Sequence, residues 1–420
     1  MPSTDVTGTR RTPTRTRPNP ARLLGPAFVA AIAYVDPGNI AANVSAGAQY
    51  GYLLIWVLVV ANAMAMVVQY LSAKLGIVLG RSLPEALGDR MPRAGRLAFW
   101  AQAELVVMAT DLAEVVGGAI ALEILFDVPL PLGGLIVGGV SMWVLAVQTR
   151  HGQRTFEGVV TGALAIIVLG FTAGLVVHGI DWTAAAGGLA PRFEGAQTVL
   201  LAASMLGATV MPHAIYLHSS LTRDRHGFDP APSRIRLLLG ASRWDVGIAL
   251  LIAGSANIAL LLLAAGNLYD IPGVDSIQGA HAAITRALGT AVGLVFGIGI
   301  LASGLASTSV GCYAGAAVMS GLLRVRIPLL LRRAVTLVPA LVVLALGIDA
   351  TQALVLSQVM LSIGIPFALI PLARLTSDRR LMGPFANSTV LRLTTYATAV
   401  AVVALNALLI VLTLTGLFGG

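Results

Sequence analysis

Three residues beside two prolines could bind a cation inside a strongly apolar chain. Asp36 and Asn39 offer a carboxylate and a neutral amide oxygen in the segment AYVDPGN at 33–39, and Met211 offers a thioether in GATVMPH at 207–213. Oxygen ligands suit hard cations, whereas a thioether suits softer manganese, iron, cobalt, zinc or cadmium. The set indicates a divalent transition-metal ion. The competing interpretations are that Asp36 or Asn39 caps a helix and that Met211 only packs.

A second set of ionisable residues could move protons or form buried ion pairs. Glu104, Asp111 and Glu114 recur at intervals of seven and three residues, which places them on one helix face. Carboxylates are costly in hydrocarbon, so three on one face favour a functional role. Arg332 and Arg333 are candidate counter-charges, with snorkelling to the membrane surface as the alternative.

Four further polar residues interrupt apolar segments. His213 and His218 titrate near physiological pH, and His213 is the stronger candidate for a proton pathway because it follows Pro212. For His218 a structural role is equally expected. Gln358 and Asn257 are explained equally well by helix–helix hydrogen bonds.

The composition places these residues in a membrane protein. The chain has 420 residues, of which 57% are hydrophobic and 11% charged, and its mean hydropathy is +0.86. One cysteine, Cys312, excludes a disulfide framework and a cysteine-rich metal centre. The net charge of +8 does not indicate nucleic-acid binding, because the basic residues lie between apolar segments. We expect no cofactor and no obligatory protein partner.

Apolar segments long enough to span a bilayer, about 20 residues each, occur eleven times. The predicted spans are 24–47, 51–79, 98–124, 131–149, 157–178, 198–222, 244–268, 290–322, 333–350, 352–374 and 391–416. Residues 1–22 are polar and predict a disordered cytoplasmic tail, and the first span is expected to be retained rather than cleaved as a signal peptide. The transmembrane domain therefore covers 23–416.

The distribution of basic residues predicts the orientation in the cell membrane. If the N-terminus is cytoplasmic and each span crosses once, all 27 lysine and arginine residues except Arg192 and Arg286 lie on the cytoplasmic side. Membrane proteins show this asymmetry. An odd number of spans then makes the C-terminus extracytoplasmic.

Two spans are predicted to be broken at matching depth. Pro37 and Pro212 each remove a backbone donor and clash with the preceding turn, and they lie five spans apart. This spacing predicts two inverted five-helix repeats, about 23–180 and 196–375, with a site at their interface. A break at Pro212 should also free backbone carbonyls, including that of Ala208.

These motifs resemble the Nramp family of proton-coupled divalent-metal transporters, and specifically its bacterial manganese-transport branch. The resemblance rests on DPGN at 36–39, MPH at 211–213 and the segment QAELVVMATDLAE at 102–114. It covers about 23–416. It implies an all-α integral membrane protein with a LeuT-like fold, in which helices one and six are broken and one helix, 391–416, is added to the two repeats.

The resemblance also implies roles for individual residues. The metal would be held by these residues, the last two in particular conformations only: Asp36, Asn39, Met211, the Ala208 carbonyl, the Ala33 carbonyl and Gln358. Protons would enter beside Asp36 and His213. The pathway would continue along Asp111 and Glu114, paired with Arg333 and Arg332, with Glu104 nearby.

The expected activity is import of Mn²⁺ with protons by alternating access, with Fe²⁺ and similar ions also accepted. A cotransporter of organic substrates is a first alternative, although Asp36 would repel a carboxylate. An intramembrane enzyme with Asp36 and Asp111 as a catalytic pair is a second, and it leaves Met211 and Asn39 without a role. A metal channel is the third, and only proton coupling separates it from a transporter.

Overall fold

The computed structural model describes residues 23–177, 179–274, 276–325 and 327–418, and this part of the chain is helical, without β-strands. The predicted disordered tail, 1–22, lies outside the described residues. The helices are α1 (Pro26–Ala31), α2 (Pro37–Tyr50), α3 (Ile55–Leu79), α4 (Leu83–Gly88), α5 (Arg93–Phe126), α6 (Leu130–His151), α7 (Gln153–Val177), α8 (Trp182–Gly187), α9 (Ala196–Thr209), α10 (Pro212–His226), α11 (Pro232–Asn267), α12 (Ile277–Leu288), α13 (Thr290–Leu322), α14 (Leu329–Ala345), α15 (Ala350–Ser377), α16 (Arg379–Met382) and α17 (Thr389–Phe418). Two 3₁₀ turns cover Ile32–Val35 and Gly383–Phe385.

The predicted spans coincide with these helices. Within the described residues, eight stretches are long and apolar enough to cross a membrane, and α6 and the segment Pro26–Val35 add shorter apolar helices. Spans one and six each correspond to a pair of helices, α1 with α2 and α9 with α10. The ninth span lies four to five residues earlier than the predicted 333–350, since α14 covers Leu329–Ala345 and Gly347 after it adopts a left-handed φ of 67°. The total of eleven crossings remains a prediction.

Helix α5 lies at the centre of the molecule and packs against α6, α13, α14 and α15. Small residues permit these close approaches. A side chain at Gly304 on α13 would meet the Gly118 backbone of α5, and one at Gly117 would overlap Pro37. Helix α11 packs against both halves of the first span, α1 and α2, and against α3. These contacts hold the broken first span between α5 and α11.

Proline alone does not decide where a membrane helix breaks. Pro37 and Pro212 occupy the first turns of α2 and α10, where the missing N–H is not needed. Pro339, Pro366 and Pro371 instead lie inside α14 and α15, which continue through them. Neighbouring helices can satisfy the backbone groups that a proline frees within a membrane protein.

Candidate metal-ion site

The first break separates α1 from α2. The chain leaves the 3₁₀ turn at Val35, becomes extended at Asp36 (φ −71°, ψ 167°) and starts α2 at Pro37. The Val35 carbonyl accepts a hydrogen bond from Ser303 Oγ at 2.5 Å. Because the break leaves the Val35 carbonyl without a helical partner, this hydrogen bond from α13 stabilises the break.

Helix α11 supports the same break through Asn257. The Asn257 amide nitrogen donates to the Tyr34 carbonyl at 2.6 Å, and its oxygen accepts from Asn43 at 2.9 Å. Asn257 thus connects the two halves of the broken span. For this residue, the expected alternative of helix–helix hydrogen bonding is confirmed.

The second break separates α9 from α10. Val210 (φ −100°, ψ 74°) and Met211 (φ −80°, ψ 129°) leave the helical region, and α10 starts at Pro212. The Met211 side chain is fully buried, in the same apolar cluster as Ala33 of the first break. Both predicted breaks are therefore present in the structure.

Asn39 joins the two breaks directly. Its side-chain nitrogen donates to Asp36 Oδ1 and to the Ala208 carbonyl, each at 2.8 Å. Asp36 Oδ1 also accepts the Asn39 backbone N–H at 2.8 Å, so Asp36 is the N-cap of α2. Asn39 lies inside α2, and the interpretation of Asn39 as a helix cap is wrong. A carboxylate, an amide and a freed carbonyl thus meet between the two breaks.

Two oxygen atoms of this cluster remain free to coordinate. Asp36 Oδ2 and Asn39 Oδ1 are buried, and neither accepts a hydrogen bond from any residue that the structure describes. A buried polar atom without a partner costs free energy unless a ligand completes it. These oxygens and the Ala208 carbonyl are candidate hard ligands, and the buried Met211 sulfur at the neighbouring break is a candidate soft ligand.

Gln358 of α15 lies against the first break. Gly38 has no Cβ, and a Cβ there would overlap the Gln358 side-chain nitrogen. Neither amide atom of Gln358 forms a hydrogen bond within the described part of the chain. The resemblance implied that Gln358 joins the metal site, and the structure brings it to Gly38, between Asp36 and Asn39 in sequence.

The two histidines belong to different hydrogen-bonded chains. His213 Nδ1 lies 3.4 Å from the hydroxyl of Thr110, which directly precedes Asp111 on α5. His218 Nδ1 instead lies 2.8 Å from Gln69 Oε1, and Gln69 donates to the Tyr34 hydroxyl at 2.7 Å. His213 therefore connects the second break to the acidic helix face, whereas His218 contacts α3.

The acids of α5 pair with the start of α14. Asp111 Oδ1 lies 2.5 Å from Arg333 Nη1, and both side chains are fully buried. Arg332 forms its ion pair with Glu104, not with Glu114, so the expected pairing of Arg332 with Glu114 is wrong. Glu104 and Glu114 are about 15 Å apart along the helix, and one guanidinium reaches only one of them.

The burial of these two arginines contradicts the alternative that they snorkel to the membrane surface. The relative exposure of Arg332 is 3% and that of Arg333 is 0%, so neither snorkels to the surface. Arg333 additionally donates from Nε to Ser141 Oγ at 2.8 Å. Glu114, which is fully buried, packs against Gly311 of α13, where a Cβ would lie 3.0 Å from Glu114 Oε2.

The candidate site contains a single carboxylate, that of Asp36. Across the residues described, no three histidine, cysteine, aspartate or glutamate side chains converge as ligands. A site with the single carboxylate of Asp36 neutralises only part of a divalent charge.

Comparison with known proteins identifies the family. Residues 27–412 match the family model described as natural resistance-associated macrophage protein-like, Nramp. The chain belongs to the Nramp family. An Nramp relative from Mycobacterium tuberculosis, named divalent metal cation transporter MntH, is 60% identical over 395 residues, which are 94% of this chain and 92% of the relative.

Solved structures confirm the Nramp fold. A mutant of the manganese transporter of Eremococcus coleocola superposes with a TM-score of 0.87 at 30% identity, covering 95% of this chain and 88% of that one. A nucleobase-cation-symport-1 family transporter, 16% identical, superposes with a TM-score of 0.60 over 92% of this chain and 89% of that one. The second likeness concerns the fold alone. The predicted LeuT-like architecture is confirmed.

Several residues that support the site were not predicted from the sequence. Thr110, Ser303, Gln69 and Tyr34 contact the breaks or the histidines. Each is a polar side chain in an apolar span, which is a usable signal, because such groups require partners. Their particular partners depend on helix packing, which residue spacing does not specify.

Proposed function

We propose that this Nramp chain imports divalent transition-metal ions across the cell membrane together with protons, with Mn²⁺ preferred and Fe²⁺ and similar ions accepted. Alternating access around the two breaks would carry the ion. The observation that carries the proposal is the contact of Asn39 with both Asp36 and Ala208, since it joins the two repeats at their breaks. The names of the relatives support the substrate class.

The ligand chemistry supports a transition metal over Ca²⁺ or Mg²⁺. Asp36, Asn39 and the Ala208 carbonyl offer hard oxygens, while Met211 offers a sulfur that hard cations bind poorly. The Ala33 carbonyl and Gln358 would complete the coordination in particular conformations. An organic anion is disfavoured because the Asp36 carboxylate would repel it, and the enzyme alternative leaves the sulfur without a role.

Asp36 provides the first test. Asparagine is also a good N-cap, so Asp36→Asn keeps the start of α2 and removes the charge. We expect Mn²⁺ uptake into proteoliposomes to fall to background. The matched control is Asp181→Asn, which changes the exposed N-cap of α8 and should leave uptake unchanged. Uptake near the wild-type rate in Asp36→Asn would refute the proposed site.

A proton route along α5 is the second part of the proposal. His213 reaches α5 through Thr110, and the acids beyond it face Arg332 and Arg333. Protons would enter beside Asp36 and His213 and pass along the row Asp111, Glu114 and Glu104. His218, which contacts Gln69 of α3, is the weaker member of the proposed route.

Glu114 provides the test of this route. Glu114→Gln keeps the shape and removes the exchangeable proton, so we expect proton flux to fall more than the affinity for Mn²⁺. Glu123→Gln, at the far end of the same helix, is the control and should change neither. Proton flux and Mn²⁺ uptake are measured together in proteoliposomes with a pH gradient. Equal loss of both quantities in Glu114→Gln would contradict a separate proton route.

The same assay separates a transporter from a metal channel. Coupled transport predicts that an inward pH gradient drives Mn²⁺ above its equilibrium distribution, which a channel does not do. The proposed orientation, with a cytoplasmic N-terminus and an extracytoplasmic C-terminus, follows from the distribution of arginines.

A further inference from the structure

A basic crevice lies at the start of α11, away from the metal site. The cavity measures about 430 Å³ and opens between α11 and the 3₁₀ turn Gly383–Phe385. Arg236, Gly240 and Arg243 line it from α11, and Pro384 and Phe385 line it from the turn. No carboxylate is among the described lining residues. The crevice is on the side that the basic residues assign to the cytoplasm.

The positive charge of this crevice is not balanced. Within the described part of the chain, neither Arg236 nor Arg243 forms an ion pair. The Arg243 guanidinium lies over the Tyr70 ring, 5.4 Å from its centroid, and Nε donates to the Tyr70 hydroxyl at 3.3 Å. Arg243 is thus held in place by a neutral partner, which leaves its charge available to a ligand.

A third positive charge, that of Lys74, lies near Arg243. Lys74 of α3 is close enough to Arg243 for the two charges to repel. Its ammonium group donates to Asn387 Oδ1 at 2.8 Å, which is again a neutral partner. The nearest carboxylate in sequence to the turn, Asp378, caps α16 through the Arg380 N–H. Like charges held together without an acid favour an anionic ligand.

The crevice borders the lipid-facing surface. Arg236, Gly240 and Arg243 follow one another at helical spacing, and the adjacent face of α11 carries the exposed residues Leu237 and Trp244. Trp244 is 72% exposed, as is typical of tryptophans at the membrane interface. A ligand with a phosphate and acyl chains would contact the cations and this apolar face together.

We propose that this crevice binds the phosphate of an anionic phospholipid headgroup from the cytoplasmic leaflet. Guanidinium groups donate paired hydrogen bonds to phosphate oxygens, and basic pockets between membrane helices select anionic headgroups. A free phosphate ion offers the same oxygens, but it would leave the apolar face beside Trp244 without a contact. The bound lipid would connect α11 with the 3₁₀ turn before α17.

Binding of radiolabelled phosphatidylglycerol to the full-length protein in mixed micelles tests the proposal, with phosphatidylcholine as the competing neutral lipid. The double variant Arg236→Gln/Arg243→Gln should bind phosphatidylglycerol about 30-fold more weakly. The control Arg93→Gln/Arg379→Gln removes the same charge from exposed positions outside the crevice and should bind like wild type. Equal losses in both double variants would reveal diffuse electrostatic attraction and overturn the proposal.

A second variant tests the crevice without changing charge. A Cβ at Gly240 meets no atom within 4 Å, so Gly240→Leu fits the helix and its side chain fills the crevice. We expect weaker phosphatidylglycerol binding with an unchanged elution profile in size-exclusion chromatography. Wild-type binding in this variant would overturn the proposal, even if the arginine variant failed to fold.

Inorganic phosphate at fixed ionic strength distinguishes the two sources of the anion. If phosphatidylglycerol is the ligand, millimolar phosphate should not displace it. Displacement by inorganic phosphate, with no preference for phosphatidylglycerol over phosphatidylcholine, would assign the crevice to a free anion and contradict the lipid proposal.

Discussion

Met211 is the residue that decides ion selectivity in this account. It stands at the break of the sixth span, whereas Met205, also fully buried, lies in the preceding helix α9. Met211→Ala should keep Mn²⁺ uptake but raise Ca²⁺ uptake relative to Mn²⁺, because the ligand that disfavours hard cations is removed. Competitive uptake of the two ions gives this ratio without depending on the amount of folded protein.

Met205→Ala is the control for the loss of a buried side chain. It creates a comparable cavity on the same span without removing a ligand, so the Ca²⁺ to Mn²⁺ ratio should stay at the wild-type value. If Met211→Ala had the same Ca²⁺ to Mn²⁺ ratio as Met205→Ala, the proposal that Met211 is a metal ligand would be wrong.

Residue type predicted the positions of the two breaks better than it predicted the contacts of the residues beside them. Asp36 and Asn39 were identified because a carboxylate and an amide flank a proline in an apolar span, and Asn39 does contact Ala208. Residue spacing does not predict that Gln358 approaches Gly38, because this contact depends on how α15 packs against α2. Sequence periodicity reports a helix face but not the residue opposite it.

At the scale of helices, the ion pairs of α5 depend on how α14 packs against it. The periodicity of Glu104, Asp111 and Glu114 placed three acids on one face, and all three positions lie in α5. Which acid meets Arg332 depends on the height at which α14 crosses α5, and the structure selects Glu104. The pair of Asp111 with Arg333 agrees with the expectation.

The contact of α5 with the first break makes Gly117 a sensitive position. A side chain there would overlap the rigid ring of Pro37, so Gly117→Ala must displace either α5 or the break. We expect overpacking to lower stability by roughly 1–3 kcal/mol and to reduce Mn²⁺ uptake. Fluorescence-detected thermal unfolding and proteoliposome uptake measure the two effects.

Gly162→Ala is the matched control for this substitution. Gly162 also lies inside a membrane helix, α7, but a Cβ there meets no atom within 4 Å. Alanine favours helix over glycine, so this variant should be as stable as wild type or slightly more stable. If Gly117→Ala behaved like Gly162→Ala, the packing of α5 against the break would not constrain the site.

The short helices α4 and α12 between the spans were not predicted from the sequence, for different reasons. Helix α4 starts with a capping box, in which Ser82 and Glu85 exchange hydrogen bonds, and the S-x-x-E pattern could have revealed it. Helix α12 has a Ser276 cap, but its 12 residues are too few to span a membrane, so a search for apolar spans does not reveal it.

The orientation of the whole molecule rests on the distribution of basic residues. Because Cys312 is buried, a cysteine introduced at an exposed position can be labelled selectively. A membrane-impermeant maleimide added to intact cells should label Arg192→Cys but not Arg380→Cys, since the two positions are predicted on opposite sides. Permeabilised cells provide the control, in which both variants should react. The reverse pattern in intact cells would invert the predicted topology.

Hydropathy and proline spacing predicted most of the architecture, because membrane spans must be long, apolar and internally hydrogen-bonded. The two breaks predicted inverted repeats, and the resemblance to the Nramp family implied the LeuT-like fold, which the structural comparisons confirm. Length and composition identify eight spanning helices within the described residues, whereas α6 and the first span form shorter apolar helices.

Anomalous X-ray scattering from crystals grown with Mn²⁺ tests the central claim most directly, because it locates the ion independently of any transport assay. We expect one manganese peak between the two breaks, within bonding distance of Asp36, Asn39, the Ala208 carbonyl and the Met211 sulfur, and no peak there in Asp36→Asn. A manganese peak elsewhere in the membrane region, with this space between the repeats empty, would contradict the account.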